Sequence, residues 1–205
     1  MAAAAPAAQG RQQEGSLHLL DVPYLPQSEA LCGGAAIAMV MRFFGATGVY
    51  AETFSSLVDP EAAGIRGQDL IDALRGRGWQ AESFRGDAAS VQAHLASSRP
   101  VVALIQDRPG RFHYVVVVGW AEGRVIVHDP ARAPFRVLQE RAFTEAWAVS
   151  GFWTLAAVPG AGASAAAPAA ASASASSPEA PAPERRDAGT TGPCAGLIDE
   201  GVRLA

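Results

Sequence analysis

The stretch PQSEALCGGAAIAMVMRFFG, residues 26–45, decides how this chain is expected to fold. Its apolar, alanine-rich second half predicts a buried helix over residues 32–44, with Gly45 as the residue just past the helix end. Cys32 begins that helix, and two glycines follow it. A helix N-terminus lowers the pKa of a cysteine through its partial positive charge and its free N–H groups. A lone cysteine is more often a small core residue, so the rest of the sequence must decide whether Cys32 is a nucleophile.

Composition excludes several classes of function. The chain has 205 residues, enough for one domain with a core, and its net charge of -4 favours neither a nucleic-acid partner nor an anionic membrane. All of its basic residues are arginines. A chain without lysine has neither a P-loop nor a Schiff-base amine. No apolar run approaches the ~20 residues of a spanning helix, so no integral membrane segment is predicted.

Composition also divides the chain into four parts. We expect a disordered N-terminus (1–15), a globular domain (16–158), a disordered linker rich in alanine, serine and proline (159–193), and a short amphipathic helical tail (194–205). The linker has almost nothing to bury. The tail is the segment through which a further partner would bind.

The cysteines and the N-terminus bear on the compartment. Two cysteines, Cys32 and Cys194, do not make a disulfide framework. The N-terminus lacks both the basic and the leucine-rich regions of a secretory signal, so a cytoplasmic location is favoured. Cys194 is interpreted as incidental, with a redox link to Cys32 as the alternative.

The globular domain is predicted to be α+β. Most of its helical patterns precede its strand patterns, which favours helices packed on one side of an antiparallel sheet. Besides the first helix, the predicted helices cover residues 51–58, 67–75, 87–95 (with Asp87 as the cap) and 143–147. The predicted strands cover residues 17–25, 79–84, 101–106, 113–120, 124–129 and 152–158.

A nucleophilic cysteine needs a base, and the chain has four histidines. His18 and His94 are interpreted as surface or packing residues. The other two lie in the hairpin HYVVVVGWAEGRVIVHD, where the turn pairs residue 120 with residue 124. In that register His113 lies diagonally across from Asp129 on one face, and His128 lies on the other face as a strand-end surface residue. A slip of one residue would reverse this choice.

Peptide-bond chemistry requires such a set of residues. His113 would take the thiol proton and later protonate the leaving amine, while the Asp129 carboxylate would fix the orientation of the ring. The side-chain amide of Gln27, together with the Cys32 N–H, would donate hydrogen bonds to the developing oxyanion. Gly33 and Gly34 would leave the first helical turn open to a substrate backbone.

Four stretches in this order, VPYLPQSEALCGGAAIAMVMRFFG, RPVVALI, FHYVVVVGW and VHDP, resemble the papain-like cysteine peptidases that process bacteriocin leaders. These are the double-glycine-leader peptidases of cysteine-peptidase family thirty-nine and their stand-alone relatives. The resemblance implies a papain-like fold with Cys32 as nucleophile, His113 as base, Asp129 as the third triad member and Gln27 as the oxyanion donor. It implies no cofactor and no metal. A zinc site built on the cysteine and the histidine would also lack a fourth ligand.

The sequence departs from that family in two ways. Gly34 stands where the family often has proline or another small residue after the Cys-Gly pair. The best-known leader peptidases are fused to transporter membrane and ATPase modules, whereas this sequence shows neither a spanning helix nor a P-loop. A stand-alone peptidase is therefore expected, and bacteriocin maturation is not carried over.

The predicted function is cysteine-type hydrolysis of a peptide bond in a peptide or protein substrate. The glycines beside Cys32 favour an extended peptide with small residues next to the scissile bond. Two alternatives stay open at this point. One is another acyl transfer on the same triad, such as transpeptidation or deamidation, and the other is a peptide-binding module without catalysis.

Overall fold

The structure is a computed structural model that describes residues 18–27, 30–161 and 163. In the described residues, the α-helices are α1 (Cys32–Phe43), α2 (Gly67–Arg75), α3 (Ala88–Ala96) and α4 (Glu140–Ala148), and a 3₁₀ helix covers Ala51–Leu57. The strands are β1 (Val58–Asp59), β2 (Gly64–Ile65), β3 (Trp79–Arg85), β4 (Val101–Arg108), β5 (Arg111–Ala121), β6 (Arg124–Asp129), β7 (Ala133–Gln139) and β8 (Trp153–Pro159). The predictions for residues 1–15, for nearly all of the linker and for the tail with Cys194 lie outside the described residues.

The main sheet confirms the α+β prediction. It has six strands in the order β3-β8-β4-β5-β6-β7, and every pair is antiparallel. Strands β1 and β2 form a separate two-stranded hairpin between the 3₁₀ helix and α2. Strand β5 lies between β4 and β6, so the hairpin that was predicted to carry the base is in the interior of the sheet.

Helix α1 is buried along most of its length. Ten consecutive residues from Cys32 to Met41 are buried, as expected for a helix that is apolar all round. The helix ends at Phe43, and Gly45 adopts a φ of 92°, a left-handed conformation that glycine tolerates. The prediction of this helix and of its terminating glycine is confirmed.

Strand β5 is covered on both faces. Successive side chains of a strand point to opposite faces, and Val115, Val116, Val117 and Val118 are all fully buried. Neighbouring parts of the chain therefore cover both sets of side chains. One helix that contacts this strand is α4, through the Phe143 ring, which lies edge-on to Trp120 at 5.5 Å between centroids.

The hairpin register differs from the prediction near its turn. Trp120 pairs with Val125, not with residue 124, so the predicted register was one residue out there. A β-bulge between Val117 and Gly119 then shifts the pairing. If the pairing seen at the turn continued along the hairpin without the bulge, His113 and Asp129 would lie on opposite faces of the sheet. With the bulge, Val116 pairs with residue 128, and the predicted diagonal relation is restored.

The N-terminal segment is not the strand that was predicted. Residues 18–27 follow the sheet without strand pairing, although the Leu20 N–H donates a hydrogen bond of 2.8 Å to the Val118 carbonyl at the bulge. Pro23 and Pro26 have no N–H to give to a ladder, which explains why pairing does not continue. The segment ends beside β6, where the Gln27 N–H binds the Pro130 carbonyl at 3.0 Å.

Strand β7 was not predicted. Its sequence APFRVLQ contains a proline, which argues against a central strand. The structure places β7 at the free edge of the sheet, beside β6, where one missing N–H is tolerated. This strand supplies Arg136, which contacts the site described below.

Candidate active site

The histidine and the aspartate chosen from the sequence meet in the sheet interior. His113 lies near the start of β5 and is 2% exposed, and Asp129 ends β6 and is fully buried. Their Nε2 and Oδ1 atoms are 2.7 Å apart. Because the carboxylate engages Nε2, Nδ1 is the ring nitrogen that is positioned to exchange a proton with another group.

Cys32 lies at the start of α1 and lines a cavity of about 260 Å³. The first turn of α1 contains no acidic residue, and no side chain of the described residues caps it, so the partial positive charge of this helix end lies beside Cys32. The same cavity is lined by Tyr114, the residue after His113 in β5. Tyr114 donates a hydrogen bond of 3.2 Å to the Ile65 carbonyl, which ties this end of β5 to β2. The structure therefore brings the first turn of α1 against Tyr114, the residue that follows His113 in β5.

Tyr114 shows how closed this environment is. Burial raises the pKa of its hydroxyl well above the ordinary value, and the charges of Cys32 and Asp69 raise it further. A phenol with a raised pKa stays protonated, so it acts as a hydrogen-bond donor and not as a base at neutral pH.

Gln27 lies at the opposite end of the N-terminal segment from Leu20, next to the turn that follows Asp129. Its side-chain Oε1 is buried and has no hydrogen-bond partner among the described residues. A buried polar atom without a partner carries a free-energy cost of about 1–3 kcal/mol unless a ligand or water satisfies it. The Oε1 of Gln27 is therefore an acceptor that a donor group of a ligand or water could satisfy, while the Gln27 backbone N–H is held by Pro130.

The Asp129 carboxylate is the most heavily hydrogen-bonded group of the site. Burial alone would raise its pKa, but hydrogen bonds and charges from His113 and Arg132 lower the pKa well below the usual carboxyl range. Arg136 also donates to the same oxygen as Arg132, and the Ala131 N–H donates to the other oxygen at 3.0 Å. Asp129 is thus held as an anion that can orient the His113 ring.

Arg132, Arg136 and Asp107 were missed in the sequence. Arg132 follows Asp129 by three residues, and only this short spacing could have indicated a contact between the two from the sequence. Arg136 lies on the strand that was not predicted, and Asp107 lies at an irregularity of β4, where strand alternation does not hold. None of the three has a motif of its own.

His128 corrects the prediction that it is a surface residue. It is fully buried, and its Nε2 donates to the Val22 carbonyl at 2.8 Å while its Nδ1 accepts from the Phe135 N–H at 3.0 Å. Burial lowers its pKa, so the ring is neutral, in agreement with one nitrogen donating and the other accepting. Its role is to tie the N-terminal segment to β6 and β7. His94 is a packing residue as predicted, and its ring stacks on that of Phe84 with 5.4 Å between the ring centroids.

The two glycines after Cys32 have a different environment from the one predicted. A Cβ added to Gly33 would lie 3.1 Å from the Leu70 side chain and 3.2 Å from the Tyr114 ring. A Cβ added to Gly34 would lie 2.8 Å from the Ala51 carbonyl oxygen. The space beside both glycines is filled by the chain itself, so close packing of α1 accounts for them without a substrate. Their role in substrate binding stays a prediction.

Replacement of Gly34 by alanine distinguishes these two roles. Alanine in a helix gains about 1 kcal/mol over glycine, but overpacking against the Ala51 carbonyl costs about 1–3 kcal/mol, so we expect a net loss of stability. Urea unfolding of the variant and of the parent protein would measure this loss. A Gly34→Ala protein as stable as the parent, with impaired peptide cleavage, would favour the substrate role instead.

The described residues contain no arrangement of three His, Cys, Asp or Glu side chains suited to a metal ion. Among the same residues, no helix combines the length and the apolar character required to cross a membrane.

Comparison with known proteins identifies the family of the chain and its fold. A model of the Peptidase_C39 like family matches residues 19–154, about two thirds of the chain and the whole of the region that carries the four predicted site residues. No curated protein matches the chain. Similarity to solved structures adds evidence on the fold to this family match.

Three solved structures share the fold. The first, described as a C39-like peptidase from Bacillus anthracis, has a TM-score of 0.59 and 17% identity over 68% of this chain and 96% of its own. The peptidase domain of Streptococcus ComA, a bifunctional ABC transporter, has a TM-score of 0.56 and 20% identity over 66% and 96%. A double glycine motif protease from an AMS/PCAT transporter, in complex with its leader peptide, has a TM-score of 0.55 and 22% identity over 69% and 94%. With a family match over the region that builds the site and a papain-like peptidase fold around it, the chain belongs to the Peptidase_C39-like family.

Proposed function

We propose that this protein is a cysteine peptidase in which Cys32 is the nucleophile, His113 the general base and Asp129 the residue that orients the base. The observation that carries the proposal is the buried His113–Asp129 hydrogen bond of 2.7 Å, on the strand whose Tyr114 lines the same cavity as Cys32. A structural histidine does not need a buried carboxylate that is kept ionised by further donors. Membership of a peptidase family supports the same conclusion at a coarser level.

The reaction follows from the chemistry of these groups. His113 holds the Cys32 proton, and the thiolate attacks the carbonyl carbon of the peptide bond. The oxyanion of the tetrahedral intermediate accepts hydrogen bonds from the Cys32 N–H and the Gln27 amide. His113 protonates the leaving amine as the C–N bond breaks, which leaves an acyl-enzyme. A water molecule, deprotonated by His113, then releases the acid and regenerates the thiol.

The cavity supports a peptide as the substrate. Its walls include short side chains and backbone at Ala62, Ala63, Gly64 and Gly110, which suit an extended segment with small residues beside the scissile bond. A structural neighbour was solved with its leader peptide bound, which supports a peptide ligand for this fold. Preference for bulky residues beside the scissile bond in a peptide library would contradict this choice of substrate.

The proposal is tested by the reactivity of the thiol as a function of pH. Alkylation of the purified protein by an iodoacetamide probe should follow a titration midpoint well below the ~8.5 of an ordinary thiol. Because the imidazolium and the helix N-terminus both stabilise the thiolate, the low midpoint should disappear in Cys32→Ala, where Cys194 is the remaining thiol, and it should rise in His113→Ala. Cleavage of a peptide library by the parent protein, with and without an added amine, separates hydrolysis from transpeptidation.

The opposite result has a definite meaning. A midpoint at the ordinary thiol value that does not change in His113→Ala would show that the two residues do not form an ion pair in the free protein. A protein that binds peptides but leaves them intact would then be a peptide-binding module built on a peptidase fold.

A further inference from the structure

Asp129 connects the site to a second buried carboxylate. Its Oδ2 accepts from Arg132 Nη1 at 3.0 Å, and the other guanidinium nitrogen of Arg132, Nη2, donates to Asp107 Oδ1. The Asp107 side chain is only 3% exposed. Charged side chains are almost never this buried unless they are paired. The chain of contacts therefore runs from His113 through Asp129 and Arg132 to Asp107, across strands β5, β6 and β4.

The fold places Asp107 there by an irregularity. The β4–β5 ladder pairs Gln106 with Phe112 and Arg108 with Arg111, and it shifts register between these pairs. Asp107 stands at the shift, outside the regular alternation of the strand, which is how a bulge redirects a side chain. Arg132 lies in the turn after β6, where its N–H also binds the Asp129 carbonyl at 3.0 Å. Both residues are positioned by backbone features and not only by their own contacts.

The Asp129 carboxylate is saturated by this arrangement. A carboxylate has about four acceptor positions, and Asp129 receives hydrogen bonds from His113, the Ala131 N–H, Arg132 and Arg136. With every position taken, the carboxylate cannot rotate away from the His113 ring without losing a bond. Two guanidinium groups nevertheless weaken the field of Asp129 at the imidazole, since each is a positive charge beside it.

Asp107 offsets part of that positive charge. Burial by itself would lower the pKa of Arg132, but its hydrogen bonds to Asp107 and Asp129 raise the pKa above the ordinary value. Arg132 is thus held as a cation between two anions. Arg108 approaches Asp107 only to 3.9 Å, so it neutralises Asp107 less than Arg132 does.

We propose that Arg132 and Asp107 are positioning residues of the active site, which lock the Asp129 carboxylate against His113 and together set the pH range in which His113 is protonated. The proposal rests on the proposed function, since it assigns a role to the His113–Asp129 pair. The titratable and charged groups around that pair come from every neighbouring element: Tyr24 of the N-terminal segment, Cys32 of α1 on the cavity side, Asp107 and Arg108 of β4, Arg111 of β5, Arg132 and Arg136.

The test is the titration of the His113 ring, followed by NMR of histidine labelled with ¹³C at Cε1, with His113→Gln used to assign the signal. Arg132→Gln removes a nearby positive charge, so the midpoint should rise by about half a unit to one unit. Asp107→Asn removes a negative charge on the far side of Arg132, so the midpoint should fall, by a smaller amount. Opposite shifts of the His113 midpoint would show that the charges of Arg132 and Asp107 act on the ring. General loosening of the structure would instead shift the midpoint in the same direction in both variants.

Arg132→Lys is the matched control. Lysine keeps the positive charge but lacks the planar pair of guanidinium nitrogens that bridges the two carboxylates. Because the charge is kept, its midpoint should stay near that of the parent protein. A midpoint in Arg132→Lys displaced as far as in Arg132→Gln would overturn the charge assignment. Midpoints that are unchanged in both Arg132→Gln and Asp107→Asn, with circular dichroism showing folded proteins, would overturn the proposal as a whole.

The readout separates this proposal from the proposed function. The His113 titration needs no substrate and no turnover. If the parent protein lacks a low-pKa thiol and cleaves no peptide, the peptidase assignment fails, whatever the titrations show. If the parent protein has a low-pKa thiol and cleaves peptides, but the His113 midpoint is unchanged in Arg132→Gln and Asp107→Asn, only the positioning role fails.

Discussion

Replacement of His113 by glutamine is expected to lower kcat/KM for peptide hydrolysis by about 10⁴-fold or more. Glutamine fills a similar volume and can donate a hydrogen bond to Asp129, but it cannot accept and return a proton. Cys32 then loses both its base and the imidazolium that stabilises the thiolate. Steady-state hydrolysis of a cleaved library peptide, measured on folded protein, gives the ratio directly.

The matched control is His128→Gln. His128 is also a fully buried histidine of the same hairpin, and both of its ring nitrogens are hydrogen-bonded to backbone groups. Loss of one of these bonds leaves a buried group unsatisfied, which costs about 1–3 kcal/mol of unfolding free energy. The kcat/KM of the protein that remains folded should be unchanged. An equal loss of kcat/KM in both variants would contradict the choice of His113 over His128.

Replacement of Asp129 by leucine is expected to lower the free energy of unfolding by about 3–5 kcal/mol at pH 7. Leucine keeps the volume of the site but leaves the guanidinium groups of Arg132 and Arg136 without their shared acceptor. Removal of one partner of a buried ion pair is much more destabilising than the pair itself is stabilising. Urea unfolding followed by circular dichroism measures the difference, and Asp129→Asn, which retains one acceptor oxygen, should lose less.

The contribution of Asp129 should also depend on pH, in a direction that its ionisation dictates. The pKa of Asp129 is lower in the folded protein than in the unfolded chain, where a carboxyl titrates near ~3.9. Folding therefore gains stability from Asp129 at every pH above the unfolded value. That stability is lost as the pH falls below this value towards the folded pKa, because the unfolded state then binds the proton more readily.

The measurement is the difference in unfolding free energy between the parent protein and Asp129→Asn as a function of pH. The difference should shrink steadily between about pH 5 and 2. A difference that stays constant down to pH 2 would show that Asp129 is not held as an anion in the folded state. It would also remove the electrostatic basis of the triad.

Local sequence determined the elements that carry the site. Apolar continuity and a terminal glycine were sufficient to predict α1, because these features act within the helix itself. Period-two patterning predicted β6 over the residues that the structure shows, and β4 and β5 with small differences at their ends. Asp87 was correctly predicted as the cap of α3, where its side chain accepts from the Ser90 N–H at 2.7 Å.

The choice between two histidines of one hairpin needed more than local patterning. The predicted pairing at the turn was wrong by one residue, and a bulge near Val118 cancelled the error before it reached His113 and Asp129. No local signal in a run of four valines and a glycine marks the position of a bulge. The two residues that the structure brings together were therefore chosen from a register that is valid only on the far side of the bulge.

The sequence by itself thus determined the class of fold, the helix that begins at Cys32 and the identity of the residues that form the candidate triad. Only the tertiary structure decided which face of the sheet each histidine occupies. It also showed that the protein's own side chains and backbone fill the space beside Gly33 and Gly34, and that Arg132 and Asp107 complete the surroundings of Asp129. The physical reason is the range of the interactions involved. Helix formation and strand alternation depend on neighbours within a few residues, whereas bulges, burial and charge pairing between strands depend on residues that meet only when the chain has folded.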